Sequence, residues 1–211
     1  MLAFEQQAWT EGRVCVAGID EAGRGPWAGP VVAAAVCILP DFLRQEEHGV
    51  FEGLTDSKKL SAARRDHFFE VLTTCGAVRC GIGRAEADEI DSINILQATH
   101  LAMRRAFDAL RPAPDFALVD GNRLPPLPCA ALAVTGGDGK SLSIAAASIL
   151  AKVTRDRLLQ EADERYPGYG FARHKGYGTA GHSAALRKLG PSPFHRMTFR
   201  PVRECLERNA R

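Results

Sequence analysis

Two short apolar runs, Arg13 to Ile19 and Val31 to Leu39, restrict the fold of this chain more than any other feature. Both are rich in Val and Ile and bounded by Gly and Pro, which marks buried strands. Asp20 to Pro30 is then the connection between them. The longer run covers nine residues, against the roughly 18 that a membrane-spanning helix requires. No span is expected, and Met1 to Thr10 lacks the charged start and apolar middle of a signal peptide.

Three further runs extend the set. Ala77 to Ile82 is a weaker strand candidate. Asp115 to Val119 ends at Asp120, and Ala130 to Thr135 ends in Gly136 and Gly137, so these two are expected side by side. Between them fall helices. Ser61 is placed to cap one that carries Phe68, Phe69, Val71 and Leu72. Another, beginning near Ser92, sets Ile93, Leu96, Met103, Phe107 and Leu110 on one stripe before Pro112 stops it. His100 lies on that stripe with no second ligand one turn away, so a half-buried structural role is expected for it. Ser141 to about Tyr166 reads as a helix whose small residues Ala145 to Ser148 permit close packing on a sheet, and Pro167 ends it. Shorter helices are expected near Thr179 to Leu189 and Pro201 to Arg208.

The chain has 211 residues with 45% apolar and 25% charged side chains, an ordinary globular balance that excludes disordered and fibrous classes. No repeat or linker interrupts it. The expectation is one α/β domain over residues 1–211, with a mixed five-stranded sheet flanked by helices over about 13–166 and a helical extension over about 167–211.

Six scattered cysteines without a C-x-x-C pair fit a reducing cytoplasm better than a zinc cage or a disulfide framework. The net charge of +2 divides unevenly. Residues 151–211 hold 13 Lys and Arg against 6 Asp and Glu, while the remainder is acidic. Such a basic third suits either a polyanion or an ordinary solvated face, the commoner meaning.

Chemistry gathers where strands stop. Asp20 and Glu21 follow the first strand, Asp120 follows the fourth and Asp138 the fifth. Taken singly, each is most simply an ordinary strand-end carboxylate. Taken together, like charges beside an apolar core make sense around a divalent cation, and hard oxygen ligands select Mg²⁺ or Mn²⁺ over zinc. Two glycine-rich stretches fail as nucleotide sites. Gly139-Lys140-Ser141 lacks the first glycine of a P-loop, since Val134 stands there, and Gly23-Arg24-Gly25 is followed by Ala28 where a dinucleotide fingerprint needs glycine. Glycines so near two carboxylates suit either a tight turn or a bare backbone that approaches a ligand.

Five blocks, in order, resemble bacterial ribonuclease HII. They are Gly18-Ile19-Asp20-Glu21-Ala22-Gly23-Arg24-Gly25-Pro26, Asp56-Ser57-Lys58-Lys59-Leu60, Asp120-Gly121-Asn122, Ala146 to Val153, and His174-Lys175-Gly176-Tyr177. The resemblance runs from about Arg13 to Val202, and the first twelve residues and the tail lie outside it. It implies a ribonuclease H-like fold and a monomeric endonuclease. Such an enzyme cuts the RNA strand of RNA/DNA hybrids and cuts 5′ of single ribonucleotides in duplex DNA. It further implies that Asp20, Glu21, Asp120 and Asp138 hold two divalent ions, Mn²⁺ or Mg²⁺. Gly23, Arg24 and Gly25 would touch the ribose 2′-OH, and Tyr177 would sense the junction. Lys58, Lys59 and Lys152 are candidate phosphate contacts, and the C-terminal helical part would share in substrate binding. A non-catalytic nucleic-acid binder of the same fold is the rival, against which the presence of all four carboxylates argues.

Overall fold

The computed structural model describes residues 1–44 and 46–209. Its centre is a five-stranded sheet of β1 (Val16–Ala22), β2 (Val31–Ile38), β3 (Val78–Ala85), β4 (Phe116–Asp120) and β5 (Ala130–Val134), in the order β3-β2-β1-β4-β5. β1 and β3 run antiparallel to β2, whereas β4 runs parallel to β1 and β5 parallel to β4. The helices are α1 (Ala3–Thr10), α2 (Pro40–Arg44), α3 (Ala62–Thr74), α4 (Ala87–Asp108), α5 (Leu142–Arg165), α6 (Phe171–His174), α7 (Ala180–Leu189) and α8 (Arg200–Asn209). The mixed sheet and the helical C-terminal part are therefore as expected. Among the described residues no helix is long and apolar enough to cross a membrane, and no disulfide forms.

Every residue of β2 is buried, because both faces of the sheet are covered. Ala34, Val36 and Ile38 pack towards α3 and α5, while Val31, Ala33 and Ala35 pack towards α4. Completely burying Phe68 or Phe107 contributes about 1.5–3 kcal/mol each. Gly18 explains how α5 comes so close: a Cβ there would lie 2.2 Å from the carbonyl carbon of Ser143.

The first strand lies three residues further on than expected. Val14 and Cys15 donate their N–H groups to the Asp115 carboxylate, at 2.8 and 2.9 Å, and so leave the ladder. At the other end, pairing with β2 continues through Asp20, Glu21 and Ala22. The carboxylates thus stand inside β1, and Asp120 inside β4, rather than after them. β3 likewise extends to Ala85, opposite Val31.

Ser61 caps α3 as expected, its hydroxyl accepting the Arg64 N–H at 3.3 Å. α4 begins at Ala87, earlier than expected, and kinks at Asn94, where φ is +68°. The Asn94 side chain then caps the second part of the helix by accepting N–H groups from Leu96 and Gln97 at 3.0 and 3.2 Å. The kink turns Ile93 out to solvent, so the buried stripe consists of residues such as Met103 and Phe107, followed by Leu110. His100 is half-buried, as expected.

The first twelve residues have a structural role. Glu5 of α1 is buried, and its Oε1 accepts the Ser141 and Ser143 hydroxyls at 2.6 and 2.7 Å and the Ser143 N–H at 3.0 Å. A carboxylate at the start of α5 also complements the helix dipole. This anchors α1 over the turn that carries Asp138.

Candidate active site

Parallel pairing brings distant carboxylates together. Ile19 opposes Val119, so the next residues, Asp20 and Asp120, emerge side by side from β1 and β4. Asp120 in turn opposes Val134, the last residue of β5, from which the chain runs into a 3₁₀ turn, Gly137–Gly139. There Asp120 Oδ1 accepts the Gly137 N–H at 2.7 Å. Ser141 closes the turn by donating its N–H to the Gly137 carbonyl and capping α5. As a result Asp20, Asp120 and Asp138 each present an oxygen within 4.8 Å of the others.

Glu21 stands outside this triangle because alternate residues of a strand face opposite sides. Asp20 points towards α5, where Ser148 bonds it, while Glu21 pairs with Arg24 at 3.4 Å. Burial first, then the charges of Glu21 and Asp120, pushes the Asp20 carboxyl well above its ordinary range. Burial also raises Glu21, against the pull of Arg24. Asp138 is raised by burial, then by Asp56 and Asp120, against the pull of Lys58. Lys58 Nζ lies 3.4 Å from Asp138 Oδ2 and 4.0 Å from Asp56. Burial alone would lower Lys58, but Asp138, Asp56 and Asp20 outweigh it and raise its pKa. This is the signature of excess negative charge in need of a cation. An all-oxygen, closely spaced donor set fits a hard divalent ion.

Beside the triangle lies a groove of about 400 Å³. Glu21, Lys58 and Lys152 contribute to its walls, together with Gly23, Arg24, Gly25 and Tyr177. Lys152 Nζ is held 2.7 Å from Asp156, one turn along α5, so part of its charge is already countered. Tyr177 is half-exposed, and a Cβ added to Gly25 would lie 3.9 Å from its ring. Lys59, exposed next to Lys58, stands outside the lining.

Several residues here escaped the sequence. Ser57 and Ser148, both buried, share a hydrogen bond of 2.8 Å behind Asp20. Ser148 was expected only as a small packing residue. Arg155, also in the groove wall, is 1% exposed and gives its donors to main-chain carbonyls. Its partners are carbonyls of residues 20 or more positions away, which any residue type could supply, so the sequence leaves no local signal for this role.

A mixed sheet with carboxylates converging at the ends of two parallel strands, beside a groove with basic walls, defines a metal-dependent nuclease of the ribonuclease H-like class. A sequence model of the Ribonuclease HII family matches residues 17–202. The chain is 57% identical over 204 residues to the Ribonuclease HII of Geobacter sulfurreducens, covering 96% of this chain and 90% of that protein. It is 58% identical over 195 residues to that of Rhodospirillum rubrum, covering 92% and 88%. Its fold matches the ribonuclease H2 from Pyrococcus horikoshii with a TM-score of 0.75 at 27% identity, covering 93% of this chain and 99% of that one. The structure of Bst-RNase HIII in complex with Mn²⁺ shares the fold with a TM-score of 0.70 at 17% identity, covering 92% and 70%. The chain belongs to the ribonuclease HII family and is a metal-dependent hydrolase of the ribonuclease H type.

Proposed function

We propose that this enzyme cuts the RNA strand of RNA/DNA hybrids and also cuts 5′ of a single ribonucleotide in duplex DNA, leaving 3′-hydroxyl and 5′-phosphate ends. The observation that carries the reading is the carboxylate triangle at the edge of a groove whose walls hold both lysines and bare glycine backbone. Asp20, Glu21, Asp120 and Asp138 would hold two divalent ions, Mg²⁺ or Mn²⁺. Such ions, when bound, supply a nucleophilic water at neutral pH and stabilise charge on the leaving 3′ oxygen. Ser148 orients Asp20, and the Gly137 N–H orients Asp120, so neither carboxylate must reorganise during turnover.

The remaining roles concern substrate. Lys58, Lys59 and Lys152 contact phosphates, which positions the duplex without reading sequence. Gly23-Arg24-Gly25 brings main chain against the ribose 2′-OH, the group that distinguishes RNA from DNA. Tyr177 packs against the following deoxyribose. Residues 1–211 act as one catalytic unit, a cytoplasmic monomer, in which the part after residue 166 contributes Tyr177 and much of the basic surface.

End-labelled DNA duplexes with zero, one or four ribonucleotides, incubated with Mg²⁺ or Mn²⁺, test this directly. The all-DNA duplex should remain intact, and the single ribonucleotide should be cut on its 5′ side. Binding without cleavage of any duplex would instead identify a non-catalytic nucleic-acid binder.

A further inference from the structure

The segment Ser192–Met197 belongs to none of the blocks that carry the chemistry, yet it lies directly behind the groove. It runs antiparallel to Trp27–Gly29: the Gly29 N–H donates to the Phe194 carbonyl and the Arg196 N–H to the Trp27 carbonyl, both at 2.8 Å. Asp91 of α4 anchors its end by accepting the Met197 and Thr198 N–H groups at 2.7 and 2.9 Å.

Two adjacent residues of this segment face two different elements of the groove. Arg196 is fully buried, and its guanidinium donates to four carbonyls of a single loop. Nε reaches Gly29 at 2.9 Å, Nη1 reaches Arg24 and Pro26 at 2.9 and 2.8 Å, and Nη2 reaches Gly23. A planar fork of five donors can serve four fixed acceptors at once, whereas an ammonium cannot.

His195, 1% exposed, faces the other way. Its Nδ1 accepts the Ser192 N–H at 3.0 Å, which leaves the proton on Nε2. That Nε2–H lies 3.1 Å from His182 Nε2 and donates to it. The His182 proton is therefore on Nδ1, which donates to the Tyr177 carbonyl at 3.0 Å. The polarity of every bond in this relay follows from the Ser192 amide. Arg155 ties the two sides together, donating to Ala28, Pro30 and Lys175, each at 3.0 Å.

We propose that Ser192–Met197 is a positioning bracket for substrate discrimination, in which Arg196 sets the Gly23–Gly25 backbone and His195, through His182, sets Tyr177 at a constant spacing from it. The inference rests on the proposed reading of a ribose-to-deoxyribose step by those two elements. Neither Arg196 nor His195 touches substrate. Their effect lies in holding main-chain groups within the few tenths of an ångström that hydrogen bonding to a sugar hydroxyl demands.

The test measures affinities in Ca²⁺ for duplexes with no ribonucleotide and with one, together with kcat and KM in Mg²⁺. For Arg196→Lys, the preference for the ribonucleotide duplex should fall by about tenfold or more, the consequence of losing one charge-assisted hydrogen bond. Affinity for the all-DNA duplex, and its salt dependence, should stay at parent values, since the phosphate contacts are intact. His182→Gln, a neutral exchange, should lower kcat on the one-ribonucleotide duplex with little change in KM, and should add little to Tyr177→Ala in the double variant. A folded Arg196→Lys that keeps the parent preference would overturn the bracket. Should Arg196→Lys not fold, His182→Gln decides, and full additivity with Tyr177→Ala would overturn it. A parent enzyme without any preference for the ribonucleotide duplex would instead overturn the proposed function.

Discussion

Asp120 Oδ1 and the Gly137 N–H lie 2.7 Å apart, so the end of β4 and the turn that carries Asp138 form one hydrogen-bonded piece. Asp20 approaches that piece from the neighbouring strand, bonded in turn by the Glu21 N–H at 2.7 Å. The crowding of three carboxylates is thereby built into the backbone and does not depend on flexible side chains. Its cost to the metal-free protein is the basis of the first expectation.

Asp20→Asn, Glu21→Gln and Asp120→Asn should each reduce cleavage to about a thousandth or less of the parent rate while leaving the protein folded. Asp138→Asn should also cause a large loss. Because burial and its neighbours raise the Asp20 pKa, ionising this carboxyl costs the folded metal-free protein more than it costs the unfolded chain. The stability linked to this group is present at low pH and lost as pH rises through the raised value. A neutral Asn escapes that loss, so Asp20→Asn should melt higher than the parent in EDTA at pH 7, by roughly 2–4 °C per kcal/mol relieved. Calorimetry and a single-turnover assay check both halves, and near-parent cleavage by any of these variants would remove that residue from the metal site.

Mg²⁺ and Mn²⁺ should support turnover, whereas Ca²⁺, larger and less demanding in geometry, should support substrate binding with little cleavage. Robust cleavage in EDTA, after trace metal has been removed, would refute the metal mechanism.

Salt should weaken duplex binding through counterion release, given the excess of seven basic residues over residues 151–211. Lys152→Ala should weaken binding to every duplex about equally and make the slope of log affinity against log salt shallower by up to about one. The full unit is an upper bound, since Asp156 already counters part of the Lys152 charge. Titrations at several salt concentrations measure this, and an affinity independent of salt would return the basic face to a merely solvated role.

Tyr177→Ala should lose far more activity on the one-ribonucleotide duplex than affinity for it. The two glycine substitutions should differ in kind. A Cβ at Gly23 would lie 1.9 Å from Arg155 Nε at a φ of +96°, so Gly23→Val should lower the melting temperature as well as activity. Gly25 has no such contact, and Gly25→Val should impair cleavage alone by filling the groove near Tyr177. Equal, near-parent activity of Tyr177→Ala would remove it from junction reading.

Burial first, then His182, pushes the His195 imidazole down to about 4. The unfolded chain takes up a proton near pH 6.5, and the folded chain only near the lower value. Stability from this group is therefore complete above about pH 6.5 and falls as pH drops towards 4, by roughly 3 kcal/mol in total. Melting temperature against pH should decline more steeply over this window for the parent than for His195→Gln, and parallel curves would contradict it.

The order of the motif blocks, the five strand segments and the carboxylates, glycines, lysines and tyrosine later found around the groove were legible in the sequence, because apolar periodicity and chemically distinctive side chains are local properties. Strand limits were less so: a carboxylate looks like a strand end, yet antiparallel pairing with β2 carries β1 through Asp20 and Glu21, and alternation then places the two on opposite faces. Asn94 was lost inside a periodic stripe because its capping bonds break the helix without breaking the hydrophobic pattern. Glu5, Arg155 and Arg196 were silent for a further reason. Arg196 meets Gly23 across 173 residues through a main-chain carbonyl, a group that every residue carries. Side-chain type and spacing therefore determined which chemistry the chain could perform. Tertiary structure alone decided which backbone atoms are held in place for it, since a carbonyl becomes a specific partner only when the fold brings a buried donor to it.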